Sequence, residues 1–309
     1  TYHNLDAFYK VSPSSSPEYY REILDICIKE KVNCLLPSFD ADQKLFYPEN
    51  KDLLELGVVS LSTSVDALPI YDNKEKMNLF LQKIGLPIPK QYSLGECKEN
   101  ELYMVKPKNG VGSVGAALRT IEDMKLLNIS NFIIQERCSE PEVTMECFYF
   151  NGKISTICRE RIAAKAGVCT KARIFKNKAL EDIAINFISH LKVPHIFNLQ
   201  FMRNAQGNFV ITDVNLRTAG GMSLSYAAGW DEVSALAKVM LNQNGVFDTL
   251  PDDINEQYVV RAYTDIVTQK NKQIVAFDFD GTLLDSRKRH QVVLDDILKK
   301  YKIKVDTSG

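Results

Sequence analysis

The sequence lacks several features that would place a protein quickly in a class. It has no apolar run near the roughly 20 residues that a membrane-spanning helix requires, so we expect no membrane contact. Its 38 basic and 39 acidic side chains leave a net charge of -1. That balance gives no basic surplus for binding nucleic acid or an anionic membrane surface. We therefore expect no nucleic-acid partner, and the oligomeric state cannot be predicted.

Cysteine and histidine are too scattered for a disulfide framework or a zinc site. The seven cysteines are odd in number and form no CxxC pair, and there are only four histidines. Reduced thiols in the cytoplasm are the simplest interpretation of this usage. The remaining composition, 45% hydrophobic and 25% charged over 309 residues, is ordinary for a globular protein. Such a length accommodates two or three domains of roughly 100 to 200 residues.

The pattern of strands and helices changes along the chain. Residues 1–70 alternate strands with helices, including a helix over about 18–31, which predicts a parallel, doubly wound sheet. From about 90 to 220 the pattern is longer strands joined by hairpin turns. Residues 251–272 have the character of a boundary, and a new strand follows. The chain opens without an initiator methionine and closes soon after that strand, so we expect a fragment of a longer polypeptide.

A lysine-bearing strand followed by a glycine-rich loop is the first group of residues that could carry chemistry. Lys106 lies in the strand, and the loop contains Gly110, Gly112, Ser113 and Gly115. Glycines let backbone N–H groups approach phosphate oxygens, and lysine supplies a compact cation. A dinucleotide fingerprint is disfavoured, because residues 116–119 have the pattern of a returning strand where that motif needs a helix. An ordinary glycine-rich hairpin is the alternative.

A second group follows the apolar strand that ends at Gln135 and Glu136. A short connector through Cys138 leads into another strand, and this arrangement predicts a crevice with free backbone amides. An adenine can pair with such amides, and a carboxylate such as Glu142 can accept ribose hydroxyls. Solvated residues at a strand end are the alternative.

A third group lies on a hairpin near residues 198–217. Because side chains alternate along a strand, Asp213, Asn215 and Arg217 share one face, and Gln200 could oppose them from the partner strand. Carboxylate and amide oxygens suit Mg²⁺, and Arg217 could clamp a phosphoryl group or a developing negative charge. The solvated face of a half-exposed hairpin is the alternative. The cationic stretch 159–167 is predicted as a loop, which could meet an acceptor or be a solvated turn.

Together these residues, in their order and spacing, resemble the ATP-grasp superfamily, in the branch of the carbamoyl-phosphate synthetase large chain and biotin carboxylase. The resemblance covers residues 72–230, and residues 1–70 resemble the Rossmann-like domain that precedes ATP-grasp modules. It implies the following sites: nucleotide contacts from Lys74, Lys106, Gly110, Gly112, Ser113, Gly115, Gln135, Glu136, Cys138 and Glu142, a metal site at Gln200, Asp213 and Asn215, and a catalytic Arg217 beside an acyl phosphate.

The resemblance also implies the activity. Such enzymes use ATP and Mg²⁺ or Mn²⁺ to activate a carboxylate as an acyl phosphate, which an amine then attacks. Two departures are present, since Asp213 is one methylene shorter than the usual Glu and Gln200 is neutral. A nucleotide-binding regulatory module without turnover is therefore one alternative.

The C-terminal residues carry another motif. Asp278 and Asp280, followed by Gly and Thr after an apolar strand, resemble the opening of haloacid-dehalogenase-like phosphatases, with a nucleophile and an acid/base. The N-terminal part of such a phosphatase is the other alternative. The expected fold class is α/β and α+β, with an incomplete Rossmann-like domain (1–70), a two-lobed ATP-grasp domain (71–270) and the truncated start of a haloacid-dehalogenase-like domain (271–309).

Overall fold

The computed structural model describes residues 7–110, 115–165 and 168–261. The helices are α1 (Tyr19–Glu30), α2 (Asp40–Leu45), α3 (Lys51–Glu55), α4 (Leu68–Tyr71), α5 (Lys74–Lys83), α6 (Ile121–Lys125), α7 (Lys178–His190), α8 (Met222–Ala227) and α9 (Glu232–Met240). The strands are β1 (Cys34–Leu35), β2 (Val59–Ser60), β3 (Gln91–Tyr92), β4 (Tyr103–Pro107), β5 (Ala117–Arg119), β6 (Phe132–Gln135), β7 (Ser139–Phe150), β8 (Lys153–Lys165), β9 (Val168–Phe175), β10 (Ile196–Arg203), β11 (Phe209–Asn215) and β12 (Gln257–Val260).

The N-terminal unit (residues 7–70) is a small α/β layer. Strands β1 and β2 pair in parallel, as predicted, although each is only two residues long. The amphipathic helix α1 buries Leu24 and Cys27 against Phe46, Leu53 and Val58. Its bounds confirm the helix that the apolar spacing predicts.

Two antiparallel sheets follow the N-terminal unit. The smaller has the order β3-β6-β4-β5, and its core includes Val105 and Ile134 packed on α6 residue Met124. The predicted returning strand after the glycine-rich loop is β5. The larger sheet has the order β11-β10-β7-β8-β9-β12. The chain is therefore a mixed α/β fold whose main sheets are antiparallel.

The two faces of the six-stranded sheet are different. Met145 and Leu199 point to the face that packs against Phe187 of α7. Phe148 lies on the opposite face, which packs near Trp230 between α8 and α9. Because residues directly opposite one another on neighbouring strands share a face, this second face also carries a row of polar side chains across β11, β10, β7 and β8.

The hairpin turns agree with the sequence pattern, but one predicted loop is wrong. Asn151 and Gly152 have φ values of 48° and 78° between β7 and β8, as a two-residue turn of this kind requires. The cationic stretch from Arg159, predicted as a loop, instead continues β8 as far as Lys165. Arg159 and Glu160 pair with β7 on one side, and the stretch pairs with β9 on the other as far as Lys165, so strand pairing outweighs the local charge pattern.

Some predictions fall beyond the described part of the chain. Residues 271–309, with Asp278 and Asp280, lie outside it, so the haloacid-dehalogenase-like start stays a prediction. The same holds for Gly112 and Ser113. Within the described residues, no helix has the length and apolar character needed to cross a bilayer.

Candidate nucleotide and ligase site

A cleft of about 720 Å³ is lined by residues of both antiparallel sheets. Met104 and Leu118 of the smaller sheet contribute apolar surface, and Met202 contributes more from β10. Cavities of roughly 300 to 1,000 Å³ hold most small ligands and cofactors. The cleft therefore has room for a nucleotide.

Two lysines and a carboxylate meet at one side of the cleft. The Nζ atom of Lys106 donates a hydrogen bond to the backbone oxygen of Thr212 at 2.9 Å. Lys74 Nζ lies 2.6 Å from Asp213 Oδ1, and Lys74 is the first residue of α5, after the N-cap Asn73. Burial lowers the pKa of Lys106, while the charge of Asp213 acts in the opposite direction. Positive charge is therefore concentrated at this side of the cleft. An anionic group bound here would interact with Lys106 in place of the water that its burial has removed.

Gln135 is a buried polar side chain in the cleft wall. Its side chain is 1% exposed, and neither Oε1 nor Nε2 has a hydrogen-bond partner among the described residues. Buried polar groups are almost always paired, because an unpaired one keeps its full desolvation cost. A ligand edge that carries both a donor and an acceptor, such as that of adenine, would satisfy both atoms.

Side-chain contacts fix the connector after β6 and the beginning of β7. Glu136 accepts hydrogen bonds from the backbone N–H groups of Lys90 at 2.8 Å and Ala205 at 3.3 Å. Glu142 Oε1 lies 3.3 Å from Arg161 Nη2. Burial raises the pKa of the Cys138 thiol to about 11, so this side chain is neutral. The structure thus brings Glu136, Cys138 and Glu142 to the cleft wall together.

The predicted metal ligands also come together. Gln200 and Asp213 are directly opposite on β10 and β11, and Asn215 follows on the same face. The Nδ2 group of Asn215 donates to Asn198 Oδ1 at 3.2 Å, which orients its amide. The donor set consists of oxygen atoms from one carboxylate and two amides, which fits Mg²⁺ or Mn²⁺. The described residues contain no group of three or more His, Cys, Asp or Glu that could hold a metal, so any such site depends on the amides.

The ends of the glycine-rich loop lie next to this site. Gly110 has a φ of 151° and lines a second, smaller cleft of about 120 Å³ that shares Lys74 and Asp213 with the first. Gly115 has a φ of 79°, and a Cβ atom there would lie 2.9 Å from Cγ of Pro107. Both positions therefore require glycine.

Arg217 has a partner that the sequence did not indicate. Its Nε and Nη2 atoms lie 2.8 and 3.1 Å from the two carboxylate oxygens of Asp40, in α2 of the N-terminal unit. Its Nη1 group donates to the backbone oxygen of Thr218 at 3.1 Å. The positions of Asp40 and Arg217 are 177 residues apart, so no local pattern could have linked them.

A buried charged cluster beneath the loop after Arg217 was also missed. Arg159 Nε lies 2.9 Å from Glu146 Oε1, and the two side chains are 4% and 1% exposed. Glu232, the first residue of α9, is 2% exposed, and neither of its carboxylate oxygens has a partner in the described part of the chain. The guanidinium of Arg159 packs on Gly221, where a Cβ atom would lie 2.3 Å from Cζ. The available signal was Glu146 itself, a charged residue within an apolar strand.

This cluster predicts an unusual pH dependence of stability. Burial raises the pKa of Glu232 well above its ordinary value, and the charge of Glu146 raises it further, although Arg159 opposes them. Between the unfolded pKa of about 4.3 and the higher folded value, the native state keeps a proton that the unfolded chain has released. The contribution of Glu232 to stability is thus complete at low pH and is lost as the pH rises through the folded pKa. Glu232→Gln should remove this loss and be more stable than the wild type at pH 8.

Urea unfolding at several values between pH 5 and pH 8 measures this difference. Glu122→Gln, in the exposed first turn of α6, is the matched control and should follow the wild-type pH profile. Parallel profiles for the wild type and Glu232→Gln would show that Glu232 is ionised in the folded protein.

Comparison with known proteins gives two partial sequence matches. Residues 128–266, a little under half of the chain, match the family model described as ATP-grasp in the biosynthetic pathway with Ter operon. The chain is also 23% identical over 248 residues to the carbamoyl phosphate synthase large chain of Thermoplasma acidophilum. That match covers 68% of this chain but only 23% of the relative. The family model is thus that of ATP-grasp proteins, and both matches are partial.

Solved structures show the same fold at low sequence identity. The biotin carboxylase domain of Hydrogenobacter thermophilus 2-oxoglutarate carboxylase, in complex with MgADP, ADP and bicarbonate, has a TM-score of 0.62 and 11% identity, covering 76% of this chain and 59% of that one. L-amino acid ligase from Bacillus licheniformis has a TM-score of 0.58 and 14% identity, covering 79% and 65%. The chain shares the fold of these proteins, and it spans less than two thirds of each of them.

Proposed function

We propose that this chain is the ATP-binding portion of a carboxylate–amine ligase, which activates a carboxylate as an acyl phosphate for attack by an amine. The observation that carries the proposal is one cleft whose wall holds a partly buried lysine and a glutamine amide without a partner among the described residues, together with Gln200 and Asp213, which lie directly opposite one another on β10 and β11. We further propose the domain limits 1–70, 71–270 and 271–309.

Different residues of the cleft would contact the adenine, the ribose and the phosphates. Gln135 and the connector near Glu136 and Cys138 would hold the adenine, and Glu142 would accept the ribose hydroxyls. Lys74 and Lys106 would contact the phosphates, and the resemblance implies that Gly110, Gly112, Ser113 and Gly115 contact them as well. Lys106 already lines the cleft in a partly buried position.

The other end of the cleft would carry out the transfer. Gln200, Asp213 and Asn215 would hold Mg²⁺ or Mn²⁺, which neutralises charge on the phosphate oxygens. Arg217 would steady the acyl phosphate with its guanidinium, since developing negative charge is best stabilised by donors that are fixed beforehand. Lys74 contacts Asp213 at 2.6 Å, so metal binding would share or replace that ion pair.

The names of proteins with the same fold indicate which substrate classes to test. One holds bicarbonate beside MgADP, and others are named as an L-amino acid ligase and an N5-carboxyaminoimidazole ribonucleotide synthetase from Thermotoga maritima. These names support a small carboxylate, including bicarbonate, and an amine as the substrate classes.

The first test measures thermal unfolding of the chain with and without Mg-ATP. A ligand at about 100 times its dissociation constant adds about 2.7 kcal/mol of stability, which corresponds to a shift of several degrees. We expect this shift in the wild type and in Asp182→Ala, an exposed substitution on α7, but a smaller one in Asp213→Ala. The absence of any shift in a wild-type chain that melts cooperatively would contradict nucleotide binding at this site.

The second test measures phosphate release from ATP with bicarbonate, acetate and the twenty L-amino acids, singly and in pairs. The proposal expects release that depends on a carboxylate and is accelerated by an amine. A chain that binds Mg-ATP but never releases phosphate in a substrate-dependent manner would instead be a nucleotide-binding regulatory module.

A further inference from the structure

The N-terminal unit contacts the candidate ligase site where β11 ends. Thr63 Oγ1 donates to the backbone oxygen of Leu216 at 3.4 Å, and both residues are buried. At the next residue, Arg217 makes its two bonds to Asp40. The N-terminal unit therefore touches both the backbone before the arginine and the arginine side chain.

Asp40 determines the orientation of the guanidinium. A carboxylate that accepts from Nε and Nη2 together fixes the plane of an arginine, whereas a single hydrogen bond leaves it free to rotate. Arg217 and Asp40 are 18% and 13% exposed, so water cannot readily substitute for either group. The remaining contacts of the guanidinium, to Thr218 and to Asn215 at 3.4 Å, are to a neighbouring backbone oxygen and a side-chain amide.

Asp40 is itself held in place from the side of α4. The hydroxyl group of Tyr71, the last residue of that helix, donates to Asp40 Oδ1. Although burial acts in the opposite direction, hydrogen bonds from Arg217 and Tyr71 keep the pKa of Asp40 below its ordinary value, so it is ionised at neutral pH. Asp40 and Tyr71 line the small cleft that shares Lys74 and Asp213 with the nucleotide cleft.

We propose that Asp40 is a positioning residue for the ligase reaction: it holds Arg217 in the orientation in which the guanidinium meets the transferring group. The proposal rests on the proposed function and adds that the site is incomplete without the N-terminal unit. Asp40 does not contact substrate in this role, because both of its oxygens are engaged by Arg217 and Tyr71.

Asp40→Asn tests this proposal because asparagine has the same shape but only one acceptor oxygen. Its NH₂ group would face an N–H group of Arg217, so the two-bond arrangement is lost. We expect kcat for carboxylate-dependent phosphate release to fall roughly 100-fold, as misplacement of a catalytic group by about 1 Å does. The KM for ATP and the thermal shift with Mg-ATP should stay near wild type. Asp40→Glu, which keeps the charge and both oxygens, should recover part of the rate.

The matched control is Glu49→Gln. Glu49 also joins the N-terminal unit to a cation outside it, Lys192 at 3.9 Å, but on the exposed surface and without contact to Arg217. It should react at the wild-type rate. An Asp40→Asn protein whose kcat stays within about threefold of the wild type would overturn the proposal.

A second readout separates this proposal from the proposed function. The Nε–H signal of Arg217 can be followed by NMR in the full chain labelled with ¹⁵N-arginine and assigned by its loss in Arg217→Lys. Its hydrogen exchange with water should be at least roughly tenfold faster in Asp40→Asn than in the wild type or Glu49→Gln. If the wild type releases no phosphate with any probe, the ligase function fails, and unchanged exchange in Asp40→Asn then overturns the positioning role as well.

Discussion

Arg159→Met is expected to lower the free energy of unfolding by about 3–5 kcal/mol, the usual consequence of removing one partner of a buried ion pair. Glu146 is 1% exposed and would keep its carboxylate in the protein interior without a counter-charge. The nearby carboxyl group of Glu232 raises the cost further, because the positive charge of Arg159 also acts on Glu232 and would be lost. Urea unfolding at pH 7 measures the loss.

The double replacement Glu146→Leu with Arg159→Met should recover most of that stability, because an apolar pair of similar volume has no charge to desolvate. Arg21→Met is the matched control. Arg21 pairs with Asp25 at 3.5 Å on the surface of α1, where the side chains are 81% and 60% exposed. It should change stability by less than about 1 kcal/mol. Equal losses in the single and double variants would mean that packing of the long side chains, rather than charge, stabilises the cluster.

Lys106→Met is expected to abolish stabilisation by Mg-ATP while leaving the nucleotide-free protein at least as stable as the wild type. Burial disfavours the charged form of Lys106, and methionine fills a similar volume without that cost. The loss of its bond to Thr212 offsets part of the gain. The nucleotide-dependent difference of about 2.7 kcal/mol at 100 times the dissociation constant should disappear, and thermal unfolding with and without Mg-ATP measures both effects.

Lys176→Met is the matched control for Lys106→Met. Lys176 is also a partly buried lysine, and its Nζ atom donates to the backbone oxygen of Thr156 at 2.5 Å. It does not line the cleft, so its replacement should leave the Mg-ATP shift intact. A full Mg-ATP shift in Lys106→Met would mean that nucleotide binds elsewhere or without this cation.

The sequence predicted those parts of the structure that depend on local pattern. The pattern of the first 70 residues was sufficient for α1, and strand alternation placed Gln200 opposite Asp213 in the register observed. The ATP-grasp resemblance added the functional roles, which local patterns alone left open. Those roles stay predictions for each residue.

The missed features depend on contacts between distant parts of the chain. Lys74 and Asp213 are 139 residues apart, and Asp40 and Arg217 are 177 apart, so neither ion pair has a sequence signature. The stretch after Arg159 looked like a solvated loop because its charges alternate with small residues. The structure shows that the side chain of Arg159, the first residue of this stretch, is buried within the sheet.

The contact between Gly221 and Arg159 has a consequence for divergence. The loop after Arg217 contains Gly221, and a side chain at this position would collide with the guanidinium of Arg159. A larger residue at position 221 fits only when a shorter side chain replaces Arg159. Glu146 would then lose its counter-charge and must be replaced by an uncharged residue. These three positions should therefore covary among descendants of this chain, whereas Gly220, with open space around it, is free to vary alone.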